Sequence, residues 1–571
     1  MFGLSTYEYD DDGFRTCGVT DLRIHKSAED LVKLFGVTAI VSLAIGGVFA
    51  LLVAMTRWEV VGLLDSGQFY RFTSLHAWFM ILFWMVFMEI AILYVGGPFV
   101  LGRKLSLHKL GWAGYGIMAF GGLLAVYSIA TYELPNQAPF YTSYVPLPSP
   151  APYFAGAVLF LVGAVVAAVP FFATIWREKR ENPSKTLPLI TFGAFITAVI
   201  ALEALAGGIT ALTPAFLWRI GFIEHLDAAW YRQMFWTVGH GSQQINLLAM
   251  ITVWYFMTHV VGGAEVASEK VSRFAFVLYL FFINMGAAHH LMSDPGVSAA
   301  WRMWNTSYAA YGAVIASMIH AFAIPAGLEA GRRRKGEGGG LFGWLWSAPW
   351  KDPGFSATIL SIILFGFLGG ITGVMMGQMQ LNMNWHNTLA VTGHFHATVV
   401  TGTTLAFMGL SYYVLRLVFG RNWLGGTLAS IQPFLYGGAM GLVSLMLMYL
   451  GLLFGVPRRH PSVMDIPGTS FDFSAAEPFF AVFAVAALLA IVGGALFVLI
   501  VVGSLVAGSP FSGGPVVDDD AVAADGAGDA DAVHDQSMRG TFTLTLVFFG
   551  AFVVLYALNW FLLSQVWHIG P

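Results

Sequence analysis

Polar side chains interrupt an apolar stretch that begins at residue 231 and continues to about residue 257. They are His240, Gln243, Gln244 and Asn246. An apolar run of this length can cross a bilayer, where every unsatisfied polar group is costly. Polar residues at that depth are therefore candidates for function. On a helix, His240 and Gln244 lie one turn apart on the same face, so the chemistry depends on what that face contacts.

Histidines provide the strongest chemical signal in the chain. Of the 15 histidines, a group falls within or at the ends of apolar segments: His76, His240, His289, His290, His386, His394 and His396. A single buried imidazole is often an ordinary hydrogen-bonded residue, and that interpretation stays open for each one taken alone. For several histidines at a similar depth, metal ligation explains more, because a neutral imidazole then gains a coordinate bond. We therefore predict metal centres.

The spacing of the histidines separates these centres. His394 and His396 are two residues apart, so on a helix they point about 200° away from each other. One helix can therefore hold two metal centres, one on each face. The adjacent pair His289 and His290 can converge on a single ion with help from another helix.

Composition limits the class of protein. The chain has 571 residues, of which 57% are hydrophobic and 11% charged, with a mean hydropathy of +0.71. These values are typical of a polytopic membrane protein. The net charge of −4 gives no indication of a nucleic-acid partner. Cys17 is the only cysteine, which excludes disulfides, iron–sulfur clusters and cysteine-attached haem within this chain.

We predict an all-α polytopic membrane protein with about thirteen transmembrane helices. The apolar segments start near Leu34, Phe72, Gly111, Ala151, Leu187, Tyr231, Val271, Met303, Phe355, Trp385, Leu428, Glu477 and Thr541. Lysine and arginine concentrate in alternate loops, which predicts a cytoplasmic N-terminus and an outer C-terminus. The predicted division is a cytoplasmic segment (1–33), a catalytic helical core (34–506), an acidic, disordered cytoplasmic loop (507–540) and a final transmembrane helix (541–571).

The sequence resembles subunit I of the haem–copper oxidase superfamily, most closely its B-type branch, which includes cytochrome c oxidase subunit I. The segments that carry the resemblance are Leu75-His76, Trp236-Thr-Val-Gly-His240, Ala288-His-His-Leu-Met-Ser-Asp-Pro-Gly296 and Trp385-His-Asn-Thr-Leu-Ala-Val-Thr-Gly-His-Phe-His396. Two further loops match the family, Tyr141-Thr-Ser-Tyr-Val-Pro-Leu147 and Pro457-Arg-Arg459. The resemblance covers most of the chain and implies the subunit I fold, two haems and one non-haem metal.

The resemblance also assigns roles to residues. It implies that His76 and His396 ligate a low-spin haem, that His394 ligates a high-spin haem, and that His240, His289 and His290 hold a non-haem copper or iron. Arg458 and Arg459 are expected to pair with haem propionates, and His386 to lie near one. The family places an acidic residue one turn before this last histidine, whereas this chain has Asn382 at that position.

One position departs from the family. Oxygen-reducing members of the B-type branch carry a tyrosine four residues after the sixth-helix histidine and cross-linked to it, whereas this chain has Gln244. In the C-type branch the tyrosine comes from the next helix, where this chain has Asn284, and the nearest tyrosine upstream is Tyr279. A carboxamide neither titrates near neutral pH nor forms a stable radical.

This departure favours nitric oxide as the substrate. Coupling two NO molecules to N2O and water needs two electrons and two protons, which a haem and a neighbouring metal can hold without a tyrosine. We therefore predict the catalytic subunit of a respiratory nitric oxide reductase. An O2-reducing B-type cytochrome c oxidase subunit I is the main alternative, and a non-catalytic di-haem electron carrier or membrane structural subunit is another.

The resemblance also carries expectations about protons and partners. The polar file that supplies protons in B-type oxidases is interrupted at Ile251, Ala316 and Ile319, so Tyr255 is expected to be a packing residue whose change to Phe leaves turnover nearly intact. We expect a plasma-membrane location with the site toward the outer side. The expected partners are a subunit II with an electron-entry centre (a dicopper site), a small soluble or membrane-anchored electron donor and a gas substrate, without nucleic acid.

Overall fold

The computed structural model describes residues 7–18, 20–132, 144–147, 149–282, 289–337, 339–461, 473–511 and 538–566. A small antiparallel sheet of two strands, β1 (Phe14–Thr16) and β2 (Arg23–His25), precedes the first helix. From there onward the described ranges are mainly helical, as the sequence predicts.

The long helices follow one another in chain order. They are α1 (Lys26–Arg57), α2 (Ser66–Phe99), α3 (His108–Thr131), α4 (Ala151–Glu181), α5 (Leu189–Arg219), α6 (Ala228–Val260), α7 (Glu269–Phe282), α8 (Ala310–Arg334), α9 (Pro353–Met376), α10 (Leu389–Leu417), α11 (Thr427–Phe454), α12 (Ser474–Ala507) and α13 (Arg539–Val566). Short helices occupy Ala299–Trp304, Gly343–Trp346 and Met379–Trp385.

Ten helices within the described ranges are long and apolar enough to cross a membrane. They are α1 to α5, α8 (counted from Tyr311) and α9 to α12. Of the others, α6 has 33 residues but includes the polar group around His240, and α7 ends where the described range ends. Every predicted segment start lies in a helix or within two residues of one, yet the count of thirteen spans and the orientation of the termini stay predictions.

The beginning of the tenth helix differs from the prediction. Trp385 ends the short helix Met379–Trp385, and α10 begins only at Leu389. Between them Asn387 has a φ of 60°, a left-handed conformation that ends a helix and that Asn tolerates better than most residues. Thr388 then caps α10, its hydroxyl accepting a hydrogen bond from the Ala390 backbone N–H. The continuous apolar pattern concealed this break.

Several helices contain π-helical segments. They are Trp78–Val86 and Val95–Phe99 in α2, Phe365–Gly370 in α9 and His396–Thr404 in α10, and another, Asn305–Ala309, precedes α8. One starts two residues after His76 and another starts at His396 itself. Wider π-helical turns often mark functional positions in helices.

The first and last of the described segments contact the helical core. Arg15, beside β1, forms a buried ion pair with Glu29 at 2.8 Å and donates to the carbonyl of Leu417 at 2.7 Å. Near the other end, the buried Glu329 of α8 accepts hydrogen bonds from the first residues of α13. Residues 512–537 of the acidic loop lie outside the described ranges, and the predicted division of the chain stays a prediction.

Candidate metal centres and their cavity

One large cavity, of about 1030 Å³, lies among the helices. It is lined by every residue that the sequence analysis proposed for the site: His76, His240, Gln244, His289, His290, His386, His394, His396, Arg458 and Arg459. These residues come from α2, α6, α10 and three connecting segments, so the fold brings together positions that are far apart in the sequence. Their individual roles as ligands are not decided by this proximity.

Three of the histidines form a compact cluster. His240 of α6, His289 and His290 each offer a ring nitrogen, and the three nitrogens lie within 4.8 Å of one another. The ring centroid of His240 is 4.4 Å from that of His289 and 5.2 Å from that of His290. Three imidazole nitrogens at this separation fit a copper, iron or zinc ion with a further position open to substrate.

Two interactions hold the cluster in place. The indole of Trp236, one turn before His240, stacks flat on the ring of His290 at 3.9 Å and 7°. Arg232 forms a two-pronged ion pair with Asp294, with Nε–Oδ2 at 2.6 Å and Nη2–Oδ1 at 3.0 Å. Such paired geometry is specific as well as strong, and it ties the start of α6 to the segment that carries the His-His pair. The sequence analysis did not identify this ion pair.

Gln244 lies directly against the three-histidine cluster. Its Nε2 is 2.8 Å from His240 Nε2, while His240 Nδ1 faces His290 Nε2 at 3.2 Å. Thus Nδ1 points toward the cluster and Nε2 toward the amide. An imidazole that binds a metal through Nδ1 keeps its proton on Nε2, and the amide oxygen would accept that proton's hydrogen bond after a 180° rotation of the carboxamide. Gln244 is therefore placed to fix the tautomer of His240.

His76, His394 and His396 are each oriented through Nδ1. The carbonyls of Gly46 and Thr392 accept hydrogen bonds from His76 Nδ1 at 3.1 Å and His396 Nδ1 at 2.8 Å. His394 Nδ1 is 2.8 Å from the hydroxyl of Thr372. In each case Nε2 would be the ligand atom for a bound metal, an arrangement common around metal-bound histidines. These side chains and the volume of the cavity fit the haems that the resemblance implies.

His394 and His396 make different contacts, as their spacing predicts. The partner of His394 is on α9, whereas His396 bonds to a carbonyl of its own helix. Gly373 of α9 leaves room for His394, because a Cβ at that position would lie only 3.2 Å from the ring. The later start of α10 places His394 five residues into that helix rather than nine.

The two arginines stand on a well-anchored loop. Pro457 pairs with Thr388 in an isolated bridge, and the Arg458 backbone N–H donates to the Asn387 carbonyl at 2.9 Å. The guanidinium of Arg57, at the end of α1, donates to the carbonyls of Arg458 and His460. Arg458 and Arg459 thereby line the cavity, and their planar guanidinium groups suit carboxylates. The anchoring role of Arg57 gave no signal in the sequence.

His386 and Asn382 occupy the segment before α10. Burial lowers the pKa of His386, and the nearby Arg458 guanidinium lowers it further. The amide of Asn382 donates to the carbonyl of Met376 at 3.0 Å, which an ionised carboxylate could not do. The position that the family fills with an acid thus has a structural role here.

Comparison with known proteins gives consistent matches. The family model described as "Cytochrome C and Quinol oxidase polypeptide I" matches residues 30–496. Cytochrome c oxidase subunit 1 of Thermus thermophilus is 33% identical over 353 residues, 60% of this chain and 60% of that protein. Cytochrome c oxidase subunit 1 of Bacillus subtilis is 23% identical over 433 residues, 73% of this chain and 65% of that protein. The chain therefore spans about three fifths of the length of such relatives.

A solved structure shares the fold. It is described as "Cryo-EM structure of a heme-copper terminal oxidase dimer provides insights into its catalytic mechanism", and it aligns with a TM-score of 0.80 at 23% identity. The alignment covers 94% of this chain and 92% of that one. At this identity the likeness shows the arrangement of helices, not the reaction.

Proposed function

We propose that this chain, which belongs to the cytochrome c and quinol oxidase polypeptide I family, reduces nitric oxide. Two molecules of NO would yield one of nitrous oxide and one of water. At the level of the family the chain is a haem–copper oxidase subunit I and a multi-pass membrane oxidoreductase. The proposal concerns the substrate. It also includes the B-type, nitric-oxide-reductase-like assignment and the individual ligand roles.

This proposal rests mainly on the amide of Gln244, which lies beside His240. Gln244 has 8% exposure, and its Nε2 lies 2.8 Å from the ring nitrogen that faces away from the metal cluster. A carboxamide can orient this imidazole by hydrogen bonding but cannot give up an electron and a proton. The two-electron coupling of NO does not require such a donor, whereas breaking the O–O bond in one step requires four electrons.

The protein's own groups have distinct tasks in this proposal. His76 and His396 would hold a low-spin haem, His394 a high-spin haem, and the three-histidine cluster a copper or iron ion. The two haems and the metal ion would supply the electrons when bound. The residues around them orient the ligands through Nδ1 of the three haem-side histidines and through the amide of Gln244. Arg458 and Arg459 are placed to receive haem carboxylates.

Oxygen reduction is the second candidate, and the comparisons favour it. The relatives compared above are named cytochrome c oxidase subunit 1. One feature of the cavity also suits it: Tyr279 lines the cavity, with its hydroxyl 2.7 Å from that of Ser317. A phenol in the cavity, outside both positions used by the family, could act as the missing redox group. Asn284, at one of those positions, lies outside the described residues.

The deciding experiment measures both gases on one preparation. The purified complex, supplied with a reductant, is tested for N2O formation from NO and for O2 uptake. Rapid N2O formation with little O2 uptake is the expected result. Rapid reduction of O2 to water with slow N2O formation would refute the proposal and establish the second candidate.

Variants at two neighbouring glutamines test whether the activity depends on Gln244. Gln244→Leu should lower N2O formation at least tenfold, because His240 loses the group that fixes its tautomer. Gln243→Leu is the matched control, since it removes the same amide from the adjacent position of α6. Equal losses in the two variants would show that Gln244 has no special role.

The proposal extends to partners and location. Subunit I proteins of this family generally work with a subunit II, and we propose one that carries a dicopper electron-entry centre and receives electrons from a small soluble or membrane-anchored donor. The complex would lie in the plasma membrane with its cavity toward the outer side. Co-purification of a copper-bearing subunit with this chain would test the first part.

A further inference from the structure

A hydrogen-bonded group connects α6, α7 and α8 away from the histidine cluster. The hydroxyl of Tyr255 is 2.9 Å from Ser272 Oγ and 3.0 Å from His320 Nδ1. Ser272 and His320 are fully buried and Tyr255 is 7% exposed. Tyr255 thus contacts residues of two other helices, which the position-by-position comparison with the family did not anticipate, and the expectation that it is a packing residue stays a prediction.

A second hydroxyl pair lines the cavity and contacts this group through an aromatic ring. Tyr279 of α7 and Ser317 of α8 approach to 2.7 Å, and both line the cavity. The ring of Tyr279 stacks on that of His320 at 5.8 Å and 11°. Ser317 precedes His320 by three residues, which places the two on neighbouring turns of the same face. The two polar groups are thus adjacent.

The hydrogen bonding of His320 distinguishes two roles for this group, a route for protons and a contact that only joins helices. The Nε2 of His320 is buried and has no hydrogen-bond partner among the described residues. A residue that only joined α6 to α8 would need one ring nitrogen, and the second would be a costly buried polar atom. Because the ring of His320 stacks on that of Tyr279, and because imidazole can take a proton on one nitrogen and release it from the other, this second nitrogen can pass a proton on toward the Tyr279–Ser317 pair.

We propose that Ser272, Tyr255, His320, Ser317 and Tyr279 form a proton-conducting file that supplies the cavity. The file begins one turn after Glu269, whose side chain is 49% exposed, and ends at Tyr279 rather than at position 244. A proton passes from Ser272 through the Tyr255 hydroxyl to His320 Nδ1. One proton then leaves Nε2 through a bridging water to the Ser317–Tyr279 pair, and rotation of the hydroxyls restores the starting pattern. No electrons move along the file.

This inference rests on the family-level reaction and not on the identity of the gas. Reduction of NO to N2O and water, or of O2 to water, consumes protons in the cavity. Failure of the proposed substrate would therefore leave the file intact, and failure of the file would leave the substrate open. The two proposals are distinguished by separate measurements, product analysis for the first and proton uptake for the second.

The test measures proton uptake by the intact complex. Fully reduced holoenzyme in weak buffer is mixed with NO in one series and with O2 in another, and a pH-indicator dye records proton uptake while haem absorbance records oxidation. Tyr255→Phe and His320→Leu should slow proton uptake at least tenfold, with unchanged haem spectra and an unchanged rate of haem reduction by the donor. A change that merely disturbed packing would alter the spectra as well.

Tyr412→Phe provides the matched control. Tyr412 of α10 is fully buried and donates to Gln432 Oε1 at 3.0 Å, so its change to Phe removes a comparable hydroxyl elsewhere in the core. Proton uptake at the wild-type rate is expected. The proposal is overturned if Tyr255→Phe takes up protons at the wild-type rate, or if Tyr412→Phe is slowed equally. Should His320→Leu fail to retain haem, Tyr255→Phe decides alone, since it loses one oxygen atom and keeps its ring.

Discussion

The cavity holds two sets of imidazoles, and the chain positions them by different means. His76, His394 and His396 are each fixed through Nδ1 by a carbonyl or a hydroxyl. His240, His289 and His290 lie against one another, and side chains contact two of the rings, Gln244 on His240 and Trp236 on His290. Backbone partners persist through most substitutions, whereas side-chain partners do not. We therefore expect His76 and His396, which are held by carbonyls, to keep their orientation through most substitutions, whereas single changes of a partner can alter His394 and the three-histidine cluster.

The largest effect should follow loss of a ligand from either set. His76→Ala should abolish low-spin haem binding, and His240→Ala should remove the non-haem metal while both haems remain, because His76 is oriented by the Gly46 carbonyl and His240 lies against Gln244 and His290. Haem absorbance and elemental analysis of the purified variants would show this. Loss of haem from His240→Ala would mean that the two sets are not independent.

Breaking the ion pair at the start of α6 should have the next largest effect. Arg232→Gln removes the two-pronged contact to Asp294 and loosens the segment that carries His289 and His290. We expect a roughly tenfold to hundredfold loss of affinity for the non-haem metal, measured by competition with a chelator, with the haem content unchanged. Arg219→Gln, near the end of the preceding helix, is a suitable control. Equal affinities in the two variants would contradict the proposed role of the pair.

A smaller effect is expected from the hydroxyl on the haem side. Thr372→Val removes the partner of His394 Nδ1, a loss of about 1 kcal/mol, and should change the spectrum of the high-spin haem without loss of the haem. Thr358→Val is the control, because the Thr358 hydroxyl donates within its own helix to the Gly354 carbonyl at 2.8 Å. An unaltered spectrum in Thr372→Val would show that this hydroxyl does not orient the ligand.

The smallest effect concerns pH and His386. Burial lowers its pKa in the folded chain, so below the ordinary value of about 6.5 the unfolded chain binds a proton that the folded chain does not. The folded state should therefore lose stability as the pH falls through that value. His386→Gln should flatten the dependence of the melting temperature on pH between about 7 and 5.5. An identical slope in the variant would exclude this residue as the cause.

The sequence predicted more of the ligands than of their supports. His76, His240 and His394 could be found because histidine is unusual inside apolar helices and because the surrounding motifs resemble a family. Partners such as Thr372 could not be found, since a threonine in a membrane helix commonly bonds to its own backbone and only the packing of α9 on α10 brings it to a ring. The contact between Tyr255 and His320 was missed for the same reason.

The loop that carries Arg458 and Arg459 has a consequence for how the protein is made. Its backbone is held by Arg57 of α1, and the expected low-spin haem ligands, His76 and His396, lie in helices synthesised far apart in time. A ribosome that has released α2 into the membrane must still produce more than half of the chain before these groups can meet. If His76 and His396 hold a low-spin haem as proposed, its insertion would come late in biogenesis, and nascent chains that end before this loop should be unable to retain it.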